Sequence, residues 1–125
     1  MQSTSKVLII DDEQELLSMY QQAFSGAGFE PIIAENGEIG IKMAKAHMPN
    51  VILLDIIMPK MNGLDVLEAL KKDPELKEIP VILLTNLPEE CSGEKAKELG
   101  GAGYLVKAEN EPAEVVEEVK KIVQK

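Results

Sequence analysis

Apolar residues in this chain fall into two alternating kinds of run. Short blocks dominated by Val, Ile and Leu occupy Val7 to Ile10, Val51 to Leu54, Val81 to Leu84 and Tyr104 to Val106. Between them lie longer stretches whose apolar residues recur at helical spacing. A short continuous apolar block reads as a strand covered on both faces, as in a parallel sheet. Pro31 to Ala34 is a weaker block, which places it at the sheet edge. The first helix pattern runs from Glu13 to Ala27, with Leu16, Leu17, Tyr20, Ala23 and Phe24 in register, and stops at Gly26 and Gly28. The second, Gly37 to His47, sets Ile41, Ala44 and Met48 on one face and ends at Pro49. Asn62 caps the third, with Asp65 near its positive end and Leu64, Leu67 and Leu70 facing inward. Asp73-Pro74 closes it.

The fourth pattern, Pro88 to Leu99, is the weakest: it is polar, contains Gly93, and offers only Cys91, Ala96 and Leu99 to a core. The last, Pro112 to Val123, carries the stripe Val115, Val116, Val119, Ile122 and Val123. Five strand–helix alternations with right-handed crossovers predict an α/β fold, a doubly wound parallel sheet of flavodoxin-like order 2-1-3-4-5. A closed eightfold barrel needs about twice this length. The 125 residues read as one domain spanning 1–125, with Met1 to Ser5 frayed and no second, output domain.

Composition narrows the partners. With 22 acidic and 13 basic residues the formal charge is −9, which disfavours nucleic acid and anionic membranes and suits a basic partner or a divalent cation. Aromatics are 3 % with no Trp, so stacking on bases is not provided for. A single Cys91 forms no internal disulfide and fits a reducing, cytoplasmic setting. The first apolar block stops at Asp11, too short for a signal peptide, and no run reaches the roughly 18 residues of a membrane span.

The strand ends carry the chemistry. Asp11 and Asp12 follow the first strand, Asp55 the third, Thr85 the fourth and Lys107 the fifth. Ligands of open α/β sheets bind beyond the carboxyl ends of the strands, so three carboxylates, a hydroxyl and an ammonium converge there. Carboxylates packed together repel unless a cation neutralises them, and a hard, oxygen-seeking ion such as Mg²⁺ is the natural candidate. A carboxylate can then act as nucleophile toward phosphorus, with Lys107 and Thr85 contacting the phosphoryl oxygens. Asp11 and Asp12 also suit a plain helix cap, Lys107 a solvated lysine, and Tyr104 a core position. Glu35 reads as surface. His47 reads as a favourable charge at a helix C-terminus, not a phosphodonor.

Four segments, VLIIDDE, VILLDIIMPKMNGLDVL, VILLTN and GAGYLVKA, resemble the receiver domain of two-component response regulators, in order and spacing, over about Lys6 to Lys125. The resemblance implies a phosphoryl group passing from a sensor histidine kinase or phosphotransfer protein onto Asp55. It implies Mg²⁺ (or Mn²⁺) held by Asp11, Asp12, Asp55 and the backbone carbonyl of Ile57, with Asp12 the more direct ligand. Thr85 and Lys107 would contact the phosphate, and Thr85 and Tyr104 would form a switch. A downstream protein target would be met by the face of the fourth helix, fifth strand and fifth helix, in a monomer or weak dimer. One departure is Ala108, where receivers carry proline after the lysine in a cis bond. A cis bond before alanine costs about 2.5 to 4 kcal/mol, so a trans bond, or a strained cis bond kept for function, is expected. Asn86 is larger than the residue common there and narrows the entrance. Ile57 and Leu87 are apolar where polar side chains would orient a hydrolytic water, which implies a long-lived acyl phosphate.

Two other functions compete. A Mg²⁺-dependent aspartyl phosphatase of haloacid-dehalogenase type needs an acid two residues past its nucleophile; those positions are Glu13 and Ile57. A degenerate receiver acting as a phosphorylation-independent docking module draws support only from Ala108. A flavin module is excluded, because the acidic loop after the first strand repels a phosphate.

Overall fold

Strands and helices alternate from end to end of the computed structural model, which describes residues 4–123. The order is β1 (Lys6–Ile10), α1 (Gln14–Gly26), β2 (Glu30–Ala34), α2 (Gly37–His47), β3 (Val51–Leu54), α3 (Gly63–Lys72), β4 (Val81–Thr85), α4 (Glu89–Glu98), β5 (Gly103–Val106) and α5 (Pro112–Val123). A single 3-10 turn, Lys107–Glu109, joins β5 to α5. The sheet is parallel in the order β2-β1-β3-β4-β5, as expected.

Side chains alternate across the sheet and divide the core in two. Leu8, Ile10, Ile52, Leu54, Val81 and Leu83 point to the face covered by α2, α3 and α4, against Ala44, Val66, Leu67, Leu70 and Ala96. Val7, Ile9, Val51, Leu53, Ile82 and Leu84 point to the other, against Leu17, Tyr20 and Phe24 of α1 and Val115, Val116 and Val119 of α5. Each fully buried Leu or Ile contributes about 1.5–3 kcal/mol from desolvation, so both faces resist register slip.

Several local expectations are corrected. Met48 leaves its helical face: α2 stops at His47, Met48 turns left-handed at φ 47°, and its side chain is 49 % exposed. On α3 Val66 joins Leu67 and Leu70 in the buried core, against which Leu64 packs half-buried as expected. On α4 Cys91 is exposed and the buried residues are Ser92 and Ala96. Of the Met1 to Ser5 segment expected to fray, residues 1–3 lie outside the described residues, and the Ser5 carbonyl accepts the Glu30 N–H at 2.8 Å. Asn62 caps α3 as expected, its Oδ1 accepting the Asp65 N–H at 3.1 Å.

Candidate functional site

Strand register builds the site. Ile10 pairs with Leu54, and Thr85 with Val106, so the residues that follow these strands emerge along one edge. The ladder runs one residue beyond the strands: the Asp11 N–H donates to Ala34 O at 3.1 Å and the Asp55 N–H to Ile10 O at 3.0 Å. Both aspartates are thereby fixed in backbone before any side-chain contact forms. α3 begins immediately beside them, with the Gly63 N–H donating to Ile56 O at 2.7 Å. A Cβ on Gly63 would collide with the Asp55 carbonyl oxygen and come within 2.7 Å of Ile56 Cα.

Lys107 enters from the far side of the sheet. Its Nζ lies 2.7 Å from Asp11 Oδ2, 2.9 Å from Asp55 Oδ2 and 3.0 Å from Glu13 Oε1. Three ammonium protons meet three carboxylates. Asp11 and Asp55 are buried, at 2 % and 5 % exposure, whereas Asp12 and Glu13 face solvent. Asp11 uses its other oxygen to accept the Glu13 N–H at 3.0 Å. Glu13 is itself the N-cap of α1 and no side chain caps that helix, so neither Asp11 nor Asp12 is the plain helix cap the sequence allowed. Asp55 Oδ1 accepts the Ile57 N–H at 3.3 Å.

Electrostatics follow from this packing. Burial pushes the Asp11 carboxyl above its ordinary value, against the opposing pull of Lys107 and the Glu13 N–H. Burial also works to lower the Lys107 ammonium, but its bonds to Asp11, Asp55 and Glu13 outweigh that and hold it above 10.5. Lys107 therefore keeps its proton throughout the neutral range. Carboxylate oxygens of Asp11, Asp12 and Asp55 all lie within 4.8 Å of one another. An all-oxygen donor set with a surplus of negative charge over the one ammonium fits a hard divalent cation.

A cavity of about 300 Å³ opens above these groups, lined by Asp12, Glu13, Asp55, Ile57, Thr85, Asn86 and Lys107. Asp11 is not among its lining residues and meets the site through Lys107. Thr85 lines the cavity while fully buried, and its Oγ1 accepts the Leu87 N–H at 3.4 Å. Ile57 stands at the rim, 60 % exposed. Leu87, paired with Ile57 in the sequence reading, instead packs on the core and does not line this cavity.

Tyr104 is not in the cavity. Its hydroxyl donates to Leu87 O at 2.9 Å and lies 2.7 Å from Ser92 Oγ, beside a separate 180 Å³ cleft between α4 and β5. Leu87 consequently connects the two switch candidates, giving its N–H to Thr85 and its carbonyl to Tyr104. Burial raises the Tyr104 hydroxyl above its ordinary pKa. Sequence reasoning left three partners unassigned: Glu13 as a third ligand of Lys107, Ser92 on Tyr104, and the Asn86 contact described below. Adjacency to Asp11-Asp12 could have suggested Glu13; nothing periodic marks the other two. No cis peptide occurs among the described residues, so Lys107–Ala108 is trans. Also among the described residues, no helix is long and apolar enough to cross a membrane.

Residues 7–120 match the family described as the response regulator receiver domain. The chain is 32 % identical over 120 residues to the alkaline phosphatase synthesis transcriptional regulatory protein PhoP of Bacillus subtilis, covering 96 % of this chain and 49 % of that protein. It is 33 % identical over 101 residues to the polar-differentiation response regulator DivK of Brucella anthropi, covering 81 % and 82 % respectively. The chemotaxis response regulator CheY4 of Vibrio cholerae superposes with a TM-score of 0.89 at 26 % identity, over 96 % of this chain and 99 % of that one. Against PhoP and the probable transcriptional regulators ycf27, this chain spans half the length or less (49 % and 41 %). By its motifs, sheet order and matched span, the chain belongs to the response regulator receiver domain family.

Proposed function

We propose that Asp55 is the phosphoryl acceptor of this receiver domain, served by Lys107, Thr85 and a cation held at Asp11, Asp12 and Asp55. The observation that carries this reading is the Lys107 ammonium within 3.0 Å of Asp11, Glu13 and Asp55 beneath an open cavity. Phosphoacceptance is the family's function, and receivers exchange with histidine kinases or phosphotransfer proteins on one side and targets on the other. Here an Asp55 carboxylate oxygen attacks phosphorus, the bond from phosphorus to the donor's imidazole nitrogen breaks, and its electron pair stays on that nitrogen. Lys107 and the Thr85 hydroxyl then donate to the new phosphoryl oxygens. Mg²⁺ (or Mn²⁺) would be held by Asp11, Asp12, Asp55 and the Ile57 carbonyl, and would supply charge neutralisation.

The same reading makes Thr85 and Tyr104 a switch working through Leu87, reported by the α4–β5–α5 face to a downstream protein. It places the domain in the cytoplasm, as a monomer or weak dimer, catalysing its own phosphorylation without multiple turnover. Uptake of one phosphate per chain from a small acyl phosphate with Mg²⁺ tests it. Sustained hydrolysis of p-nitrophenyl phosphate would contradict it.

Acyl phosphate lifetime is a further expectation. Ile57 presents an apolar side chain at the cavity rim, where nothing on it orients water. Ile57→Asn is expected to speed decay of the phosphorylated protein about tenfold, equal to about 1.4 kcal/mol in the barrier. Leu87→Glu acts less directly, because Leu87 packs on the core. An unchanged decay rate in Ile57→Asn rejects the idea.

A further inference from the structure

Asn86 follows Thr85 off the end of β4, and its Oδ1 accepts the Ala108 backbone N–H at 3.0 Å, across 22 positions of sequence. The peptide group held in this way is the one that leaves Lys107. Because that group is planar, fixing the Ala108 N–H also fixes the Lys107 carbonyl. Asn110 closes the same turn, its N–H donating to Lys107 O at 3.3 Å and its Nδ2 to Val106 O at 3.0 Å. Those two bonds are internal to the turn. Among the described residues, the Asn86 bond is the one side-chain hydrogen bond that ties the turn to the end of β4, the strand that also carries Thr85.

Reach explains why this tie matters. Lys107 must extend a flexible four-carbon stem to three carboxylates at 2.7–3.0 Å, and its backbone leaves β5 at that very residue. A shift of the turn moves the ammonium. Resting on the assignment of Asp55 and Lys107 above, we propose that Asn86 is a positioning residue for phosphoryl transfer. Its side-chain carbonyl holds the β5–α5 turn against the end of β4 and so sets Lys107 over Asp55. The sequence supplies a matched pair: an acceptor at 86 and, at 108, a residue that has an N–H to give.

This role opposes a gate in sign. Asn86 also lines the 300 Å³ cavity, and if it acted by narrowing the entrance, removing its side chain would speed phosphorylation. As a positioning residue, its removal slows it. The experiment measures phosphorylation of Asp55 by a small acyl phosphate in wild type, Asn86→Ala, Ala108→Pro and the double variant. Asn86→Ala is expected to lower the maximal rate about tenfold, less than the hundredfold typical of a 1 Å misplacement, with the donor KM unchanged. Proline at 108 removes the donor N–H, so Asn86→Ala should cause no further loss in that background. A rate equal to or above wild type in Asn86→Ala overturns the proposal. So does an equal loss in both backgrounds.

Hydrogen exchange at Ala108 gives a second measurement should the proline variant fold poorly. The amide is expected to exchange markedly faster in Asn86→Ala, and unchanged protection contradicts the bond itself. If phosphate uptake in wild type does not depend on Asp55 at all, the underlying site assignment has failed, a result none of these Asn86 outcomes imitates.

Discussion

Lys107→Ala is expected to destabilise the domain by about 3 kcal/mol in the presence of a chelator, toward the lower end of the 3–5 kcal/mol for breaking a buried ion pair. The loss arises because Asp11 and Asp55, at 3 % and 6 % side-chain exposure, are left beside each other with no ammonium. Exposed pairs behave differently: removing Lys121 from Glu118, where the side chains are 72 % and 45 % exposed, should change little. Asp11→Asn in the Lys107→Ala background should restore part of the stability by removing one of the stranded charges. Mg²⁺ should narrow the gap as well, because the site without its ammonium is more negative and binds the cation more tightly. At a free Mg²⁺ concentration c, each protein gains RT ln(1 + c/Kd) by its own Kd. The pH dependence has a definite sign. The folded Lys107 ammonium titrates above 10.5, its unfolded value, so its stabilisation is complete below pH 10.5 and fades as pH rises through the folded value. Urea unfolding at neutral pH and above pH 10.5 checks both statements. Equal midpoints for the two proteins in chelator would show that Lys107 is not holding the carboxylates.

Gly63→Ala has the second largest expected effect. The added methyl meets the Asp55 carbonyl oxygen and Ile56 Cα, both backbone atoms that cannot rotate away. Overpacking against side chains costs about 1–3 kcal/mol, and rigid backbone on both contacts puts this substitution at or above the upper value. Relief requires α3 to withdraw from β3, which breaks the Gly63 N–H to Ile56 O bond and displaces Asp55. Activity and stability should therefore fall together. Gly93→Ala is the contrast. There the added methyl meets only Glu89 Cγ at 2.6 Å, the middle of a flexible exposed side chain, in a helix interior. Helix propensity favours Ala over Gly by about 0.8–1.0 kcal/mol, so this variant should be as stable as wild type or more so. Thermal or urea midpoints should fall for Gly63→Ala and should not fall for Gly93→Ala.

The strands were readable because each is a continuous apolar block, and their order because right-handed crossovers leave few alternatives. The site was readable because a parallel sheet delivers the residues after its strands to one edge, so Asp11, Asp55, Thr85 and Lys107 needed no contact information to be grouped. What lay out of reach shares a cause. Glu13, Asn86 and Ser92 act through single polar contacts to groups distant in sequence, and no periodicity marks such contacts. Ser92 in particular is buried on a helix whose apolar pattern is too thin to define its inward face. Met48 was misplaced because a left-handed residue ends α2 without the glycine or asparagine that usually announces one. Leu87 was paired with Ile57 by spacing alone, whereas the bend after Thr85 turns it into the core.

The central claim is that Asp55 receives the phosphoryl group. Wild type and Asp55→Ala should be incubated with a small acyl phosphate and Mg²⁺, and phosphate incorporation followed by intact mass. The account predicts uptake by wild type that requires Mg²⁺ and is absent from the folded Asp55→Ala variant. Undiminished incorporation in that variant would contradict it.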